Sequence, residues 1–150
     1  MKQTRILAAA TLIIALIWAC DKDNTANPSI SNVSVSDCHT NTDKLAAKAM
    51  NTDSIVVSWP GGDNPMQVTH YNMMLDCGEP HITTTVETDG NIVTVVEHVG
   101  EQGLTNCICL YDNSFQINNL PVRPFTLILK IESLICGNPE SATVYERTFE

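Results

Sequence analysis

The stretch HITTTVETDGNIVTVVEH, residues 81–98, reads as a β-hairpin. Ile82, Thr84 and Val86 fall on one side of its first arm, the period-two pattern of a strand with one face covered. Asp89-Gly90 between the arms is the strongest hairpin signal in the chain, because a tight hairpin turn needs residues that tolerate positive φ. Working outward, turn residues recur about every 8–12 positions, the rhythm of a sandwich or barrel. Strands are expected at 30–37, 54–59, 66–76, 81–88, 91–98, 105–110, 114–119 and 141–149. A further strand starts at Phe125, where Phe125, Leu127, Leu129 and Ile131 alternate with Thr126, Lys130 and Glu132. Ile55, Val57 and Trp59 should share one face of the 54–59 strand. The segment 99–104 reads as a Gly-containing loop, and residues 43–50 as a helical turn at most.

Eight or nine short strands with one polar face each predict an all-β, antiparallel β-sandwich of immunoglobulin-like type. A lipocalin-like β-barrel is the alternative. The chain has 150 residues, with 8 Lys+Arg against 17 Asp+Glu and a net charge of −9. That length suits one domain. The charge argues against nucleic acid, whose binding draws on clustered Lys and Arg.

The first residues read as an address. Lys2 and Arg5 precede an apolar run from Ile6 to Ala19, followed by Cys20 and the polar Asp21-Lys22-Asp23-Asn24. The run is short for a membrane span, which needs about 20 residues, and it suits a secretory leader. Ile17-Trp18-Ala19-Cys20 resembles the processing site of a bacterial lipoprotein signal. The resemblance implies a signal peptide over 1–19, cleavage before Cys20 and lipidation (palmitate among the acyl groups) at Cys20, with a membrane anchor as the result. A soluble secreted protein or an uncleaved anchor is the alternative. Cleavage would leave 131 residues with six Lys+Arg, all 17 acids and a charge of −11. So acidic a body is repelled by anionic lipid, and residues 20–28 read as a tether holding a single β-sandwich domain, 29–150, off the surface. The acids after Cys20 resemble the export signal of surface lipoproteins in the Bacteroidetes. Together these features imply an outer-membrane lipoprotein of the cell envelope, facing the periplasm or the exterior.

Five cysteines remain: Cys38, Cys77, Cys107, Cys109 and Cys136. In an oxidising compartment disulfides are the default, and an odd count leaves one over. Cys107 and Cys109 lie two apart, so on a strand they share a face and each needs a different partner. One bridge from that pair to Cys77, and a second involving Cys136 or Cys38, is the expected arrangement. The alternative is a soft-metal site built from Cys107 and Cys109 with Cys77, His70 or His81.

Two segments carry a family resemblance. They are Val68-Thr69-His70-Tyr71-Asn72 with Leu75-Asp76-Cys77-Gly78, and Asn106-Cys107-Ile108-Cys109-Leu110-Tyr111-Asp112 with Phe115, Ile117 and Leu120. The second is similar to an NCxCxYD segment of small lipoproteins of gut Bacteroidetes. The resemblance implies a β-sandwich lipoprotein and no activity or cofactor. Asn and Asp beside the cysteines suit backbone hydrogen bonding at strand ends.

His70 and Asn72 share strand parity with Val68 and Met74, so they are expected as hydrogen-bonded polar groups in a core. A catalytic or metal-binding His70 is the sharper alternative. His39, His81 and His98 are expected at the surface. Glu97 and Glu101 read as a chance pair among many acids. No nucleophile, zinc or phosphate-loop motif is present. These features predict a non-enzymatic surface or interaction module, with a cell-surface protein or a glycan as partner and end loops at 60–65, 77–80, 99–104 and 119–124 as its binding surface. For a glycan-binding accessory module the candidate ligand residues are Trp59 and Tyr111, and a metal-binding protein is the remaining alternative. Asp53-Ser54-Ile55 resembles an O-glycosylation site of exported Bacteroidetes proteins, with Ser54 as the acceptor.

Overall fold

The computed structural model describes residues 27–39, 53–78, 80–102, 106–135 and 137–150. The leader, Cys20, most of the tether, the 43–50 segment and Cys136 lie outside these residues. Eight strands form: β1 (Ser29–Val35), β2 (Ser54–Ser58), β3 (Met66–Asp76), β4 (Ile82–Asp89), β5 (Ile92–Gln102), β6 (Ile108–Asn118), β7 (Phe125–Ile135) and β8 (Asn138–Phe149). They make two four-stranded sheets, ordered β1-β6-β3-β2 and β4-β5-β7-β8. Neither sheet closes on itself, so the fold is a sandwich and the barrel is set aside.

The quoted hairpin forms as read. Asp89 pairs with Ile92, and Gly90 turns the chain at φ 57°. The turn between β2 and β3 is held by Trp59, whose Nε1–H donates to Asn64 O at 2.9 Å, while Asn64 Nδ2 donates to Gly61 O at 2.8 Å.

Alternation decides which side chains meet. Met66 and Val68 of β3, Val93 and Val95 of β5, Phe115 and Ile117 of β6, and Phe125, Leu127 and Leu129 of β7 form one buried cluster. A second cluster holds Met73, Leu75, Val99, Cys109 and Tyr111. Trp59 meets Phe125 and Phe149 edge-on, with ring centroids 5.3 and 5.7 Å away, and closes the end of the first cluster.

Four expectations need correction. First, the sheets are not wholly antiparallel, as an immunoglobulin-type sandwich would have them: β5 and β7 pair in parallel. The chain leaves β5, crosses to the other sheet as β6 and returns, so β7 arrives running the same way as β5. Second, the two strands expected over 105–110 and 114–119 are replaced by one, β6, over Ile108–Asn118, because Tyr111 and Asn113 point inward and continue its alternation. Third, much of the 99–104 loop is strand, since β5 runs to Gln102. Gly100 N–H donates to His81 O at 2.9 Å, and the register against β7 shifts between Val99 and Glu101.

The fourth concerns Met74, which is 66% exposed and so does not share the inner face with Val68 and His70. The register of β3 against β6 shifts between His70 and Met73. Asn72 there takes φ 58°, a conformation Asn tolerates better than most residues. The extra residue of this β-bulge reverses the parity, so Met73 and Leu75 turn inward. The displaced Asn72 N–H donates to Asp112 Oδ1 at 2.9 Å.

Candidate functional site

Three strands each bring one fully buried polar residue to the same level. On β3 His70 separates Val68 from Met73, on β5 Glu97 separates Val95 from Val99, and on β6 Asn113 separates Tyr111 from Phe115. The two apolar clusters therefore meet across a polar layer. His70, Glu97 and Asn113 have no exposed surface.

Burial makes hydrogen bonding obligatory here. His70 Nδ1–H donates to Glu97 Oε2 at 2.6 Å. Its Nε2–H donates to Asp53 Oδ1, which comes from the residue preceding β2 and keeps about half its side chain in solvent. Asn113 Nδ2 donates to Glu97 Oε1 at 2.7 Å and, on its outer side, to Thr84 Oγ1 at 3.3 Å. Asn113 Oδ1 has no hydrogen-bond partner among the described residues.

Burial by itself disfavours the His70 cation. The hydrogen bond and charge of Glu97, then those of Asp53, outweigh it and raise the pKa above 6.5. With a carboxyl group on each nitrogen, both ring nitrogens are engaged in hydrogen bonds, protonation of the ring is favoured, and the buried ring has no face open to a substrate. Chemically the layer is a buried ion network with one solvent contact, at Asp53.

The raised pKa has a thermodynamic consequence. A group protonated more tightly in the folded state stabilises that state fully below the unfolded pKa of about 6.5, and the contribution is lost as pH rises through the higher folded value. Urea midpoints from about pH 6 to about pH 10 should therefore fall for the parent and fall less for His70→Gln. Parallel curves would show that His70 is not the group responsible.

The second constellation is sulfur. The bridges are Cys77–Cys107 and Cys38–Cys109. Cys107 and Cys109 thus have different partners, as their spacing requires, and Cys77 and Cys38 supply them. Cys77 follows β3 and Cys107 precedes β6 at directly opposed positions, with Cys77 N–H donating to Cys107 O at 3.0 Å. Cys38 is laid beside β6 by backbone bonds from Ser36 N–H to Asp112 O at 2.8 Å and from His39 N–H to Leu110 O at 3.0 Å. Among the described residues, Cys77, Cys107 and Cys109 are the group whose ligand atoms cluster closely enough to hold a metal ion, within 4.8 Å. Neither His70 nor His81 joins them. In the bridged state those sulfurs are not thiolates, the form that binds metal.

The remaining candidates have structural partners. Tyr111 is buried, and its hydroxyl donates to Gly78 O at 2.6 Å. Trp59 has Arg123 over its ring at 4.4 Å and two phenylalanines at its sides. Ser54 opens the edge strand β2, opposite Tyr71, and its neighbour Asp53 is bound to His70. His98 lies half-exposed between Thr85 and Glu132, in a groove of about 400 Å³ that also includes Leu134 and Glu140.

Sequence reasoning placed His70 correctly in a core but missed Glu97, Asp53 and Asn113. Glu97 is buried while Glu101 is exposed, so they are not a pair. A usable signal was present. Glu97 shares parity with Val93, Val95 and Val99, as His70 does with Met66 and Val68. An acid and a histidine on two otherwise apolar faces are natural partners.

Comparison of the chain with family models, with curated proteins and with solved structures finds no match.

Proposed function

We propose that this is an exported, lipid-anchored cell-envelope protein whose β-sandwich acts as a non-enzymatic interaction module outside the cytoplasm. The observation that carries the reading is the pair of bridges, Cys38–Cys109 and Cys77–Cys107, since such bonds persist in oxidising compartments. They agree with the apolar leader that ends at Ala19, directly before Cys20. The first strand begins at Ser29, so residues 21–28 would separate an acylated Cys20 from the folded body. Extended, those residues reach about 28 Å at roughly 3.5 Å each. The six cations and 17 acids that follow the leader would keep the body off an anionic surface.

Intact mass and detergent phase partition test the reading. Protein from the membrane fraction should lack residues 1–19, carry acyl mass on Cys20 and enter the detergent phase. Cys20→Ser should partition into water. An unprocessed leader, or a parent protein found in the aqueous phase, would count against the anchor.

A further inference from the structure

The two bridges do not stand apart. Cys77 Sγ, from one, lies 3.0 Å from Cys109 Sγ, from the other. These are the inner sulfurs of the cluster, with Cys109 buried and Cys77 half-buried. The outer members, Cys107 and Cys38, are exposed. Thiol–disulfide exchange needs a thiolate beside a disulfide sulfur and an accessible sulfur at which to start. The fold exposes Cys107 and Cys38 for the start, and opening either bridge there would leave a thiolate beside a sulfur of the other.

We propose that the four cysteines form a disulfide relay that oxidises an external dithiol. A thiolate of the dithiol attacks Cys107 Sγ, the Cys77–Cys107 bond breaks, and its electron pair leaves on Cys77 Sγ. The Cys77 thiolate then attacks neighbouring Cys109 Sγ. The Cys38–Cys109 bond breaks, and Cys38 leaves as a thiolate that takes up a proton. The second thiol of the dithiol resolves the mixed disulfide at Cys107, so the reagent departs oxidised and Cys107 is left as a thiol. Two bridges and one dithiol become one oxidised dithiol, a Cys77–Cys109 bridge and thiols at Cys38 and Cys107. The two hydrogens of the dithiol end on Cys38 and Cys107.

Entry at Cys38 gives the same product, because the released Cys109 would attack Cys77 and free Cys107. The inner contact thus funnels reduction at either exposed sulfur toward one bridge, held between the strand ends beside Leu75 and Tyr111. The relay adds a redox activity to the anchored module and does not depend on the anchor.

Limited reduction tests the relay. The protein is treated with one equivalent of dithiothreitol, trapped with N-ethylmaleimide at acidic pH, and mapped without further reduction. Tandem fragmentation between Cys107 and Cys109 locates the label. The expected product carries label on Cys38 and Cys107, with Cys77 joined to Cys109. Label on Cys109 with Cys77–Cys107 retained would overturn the relay, as would label on Cys77 with Cys38–Cys109 retained. A Cys38→Ser/Cys107→Ser double variant gives a second reading. Cys77 and Cys109 should be joined in it, and free thiols at both positions would contradict the proposal.

Discussion

Glu97→Leu should lower the stability of the fold by about 3–5 kcal/mol, the usual cost of stranding a buried charge by removing its partner. The substitution leaves the His70 Nδ1–H facing leucine and removes the nearer of the two acceptors of Asn113 Nδ2. Asp53 would still hold the other ring nitrogen, but from a half-solvated position where an ion pair contributes less. The double variant His70→Leu/Glu97→Leu should be much more stable than the sum of its single changes implies. An apolar pair can replace a buried ion pair at little cost, because no charge remains to be desolvated. Urea unfolding of the parent, both singles and the double at neutral pH closes the cycle. Additive changes, or a Glu97→Leu cost below about 1 kcal/mol, would show that the polar layer is not a coupled network.

Removing the bridges should have effects of similar size, in a defined order. Cys38–Cys109 spans 71 positions of sequence and Cys77–Cys107 spans 30. In the chain-entropy account, Cys38→Ser/Cys109→Ser should then cost about 4.4 kcal/mol, and Cys77→Ser/Cys107→Ser about 0.8 kcal/mol less. The paired replacements avoid stray thiols that would attack the surviving bridge. The longer bridge also fastens the segment after β1 to the middle of the first sheet, next to Leu110 and Asp112. Thermal and urea denaturation of the two variants would check the order. If loss of Cys38–Cys109 is nearly neutral, that segment is held by its backbone bonds and the loop closed by the bridge contributes little.

The NCxCxYD segment was legible as structure before its partners were. Its tyrosine ties β6 to Gly78, its aspartate satisfies the displaced N–H of Asn72, and its two cysteines reach to Cys77 and Cys38. For the cysteines the expectation reached Cys77, with Cys38 or Cys136 for the second bridge, whereas the partners of Tyr111 and Asp112 do not follow from spacing. All of these partners lie 30 to 71 positions away along the chain, and nothing local selects them. The bulge at Asn72 was hidden for a related reason. A single residue in a left-handed conformation leaves no periodic trace, so the parity of Met73, Met74 and Leu75 was read one step out of phase.

From the residues alone came the all-β architecture, the Asp89-Gly90 turn, the inward faces of β4 and β7, and the rule that Cys107 and Cys109 cannot pair with each other. Each is a property of near neighbours, set by φ preferences and by the alternation of side chains along an extended backbone. The folded molecule alone decided the parallel β5–β7 pairing, the meeting of His70, Glu97, Asn113 and Asp53 in one layer, and the contact between two disulfides. Those depend on which strand lies beside which, and that is chosen by burying the whole set of apolar faces together rather than by any one segment.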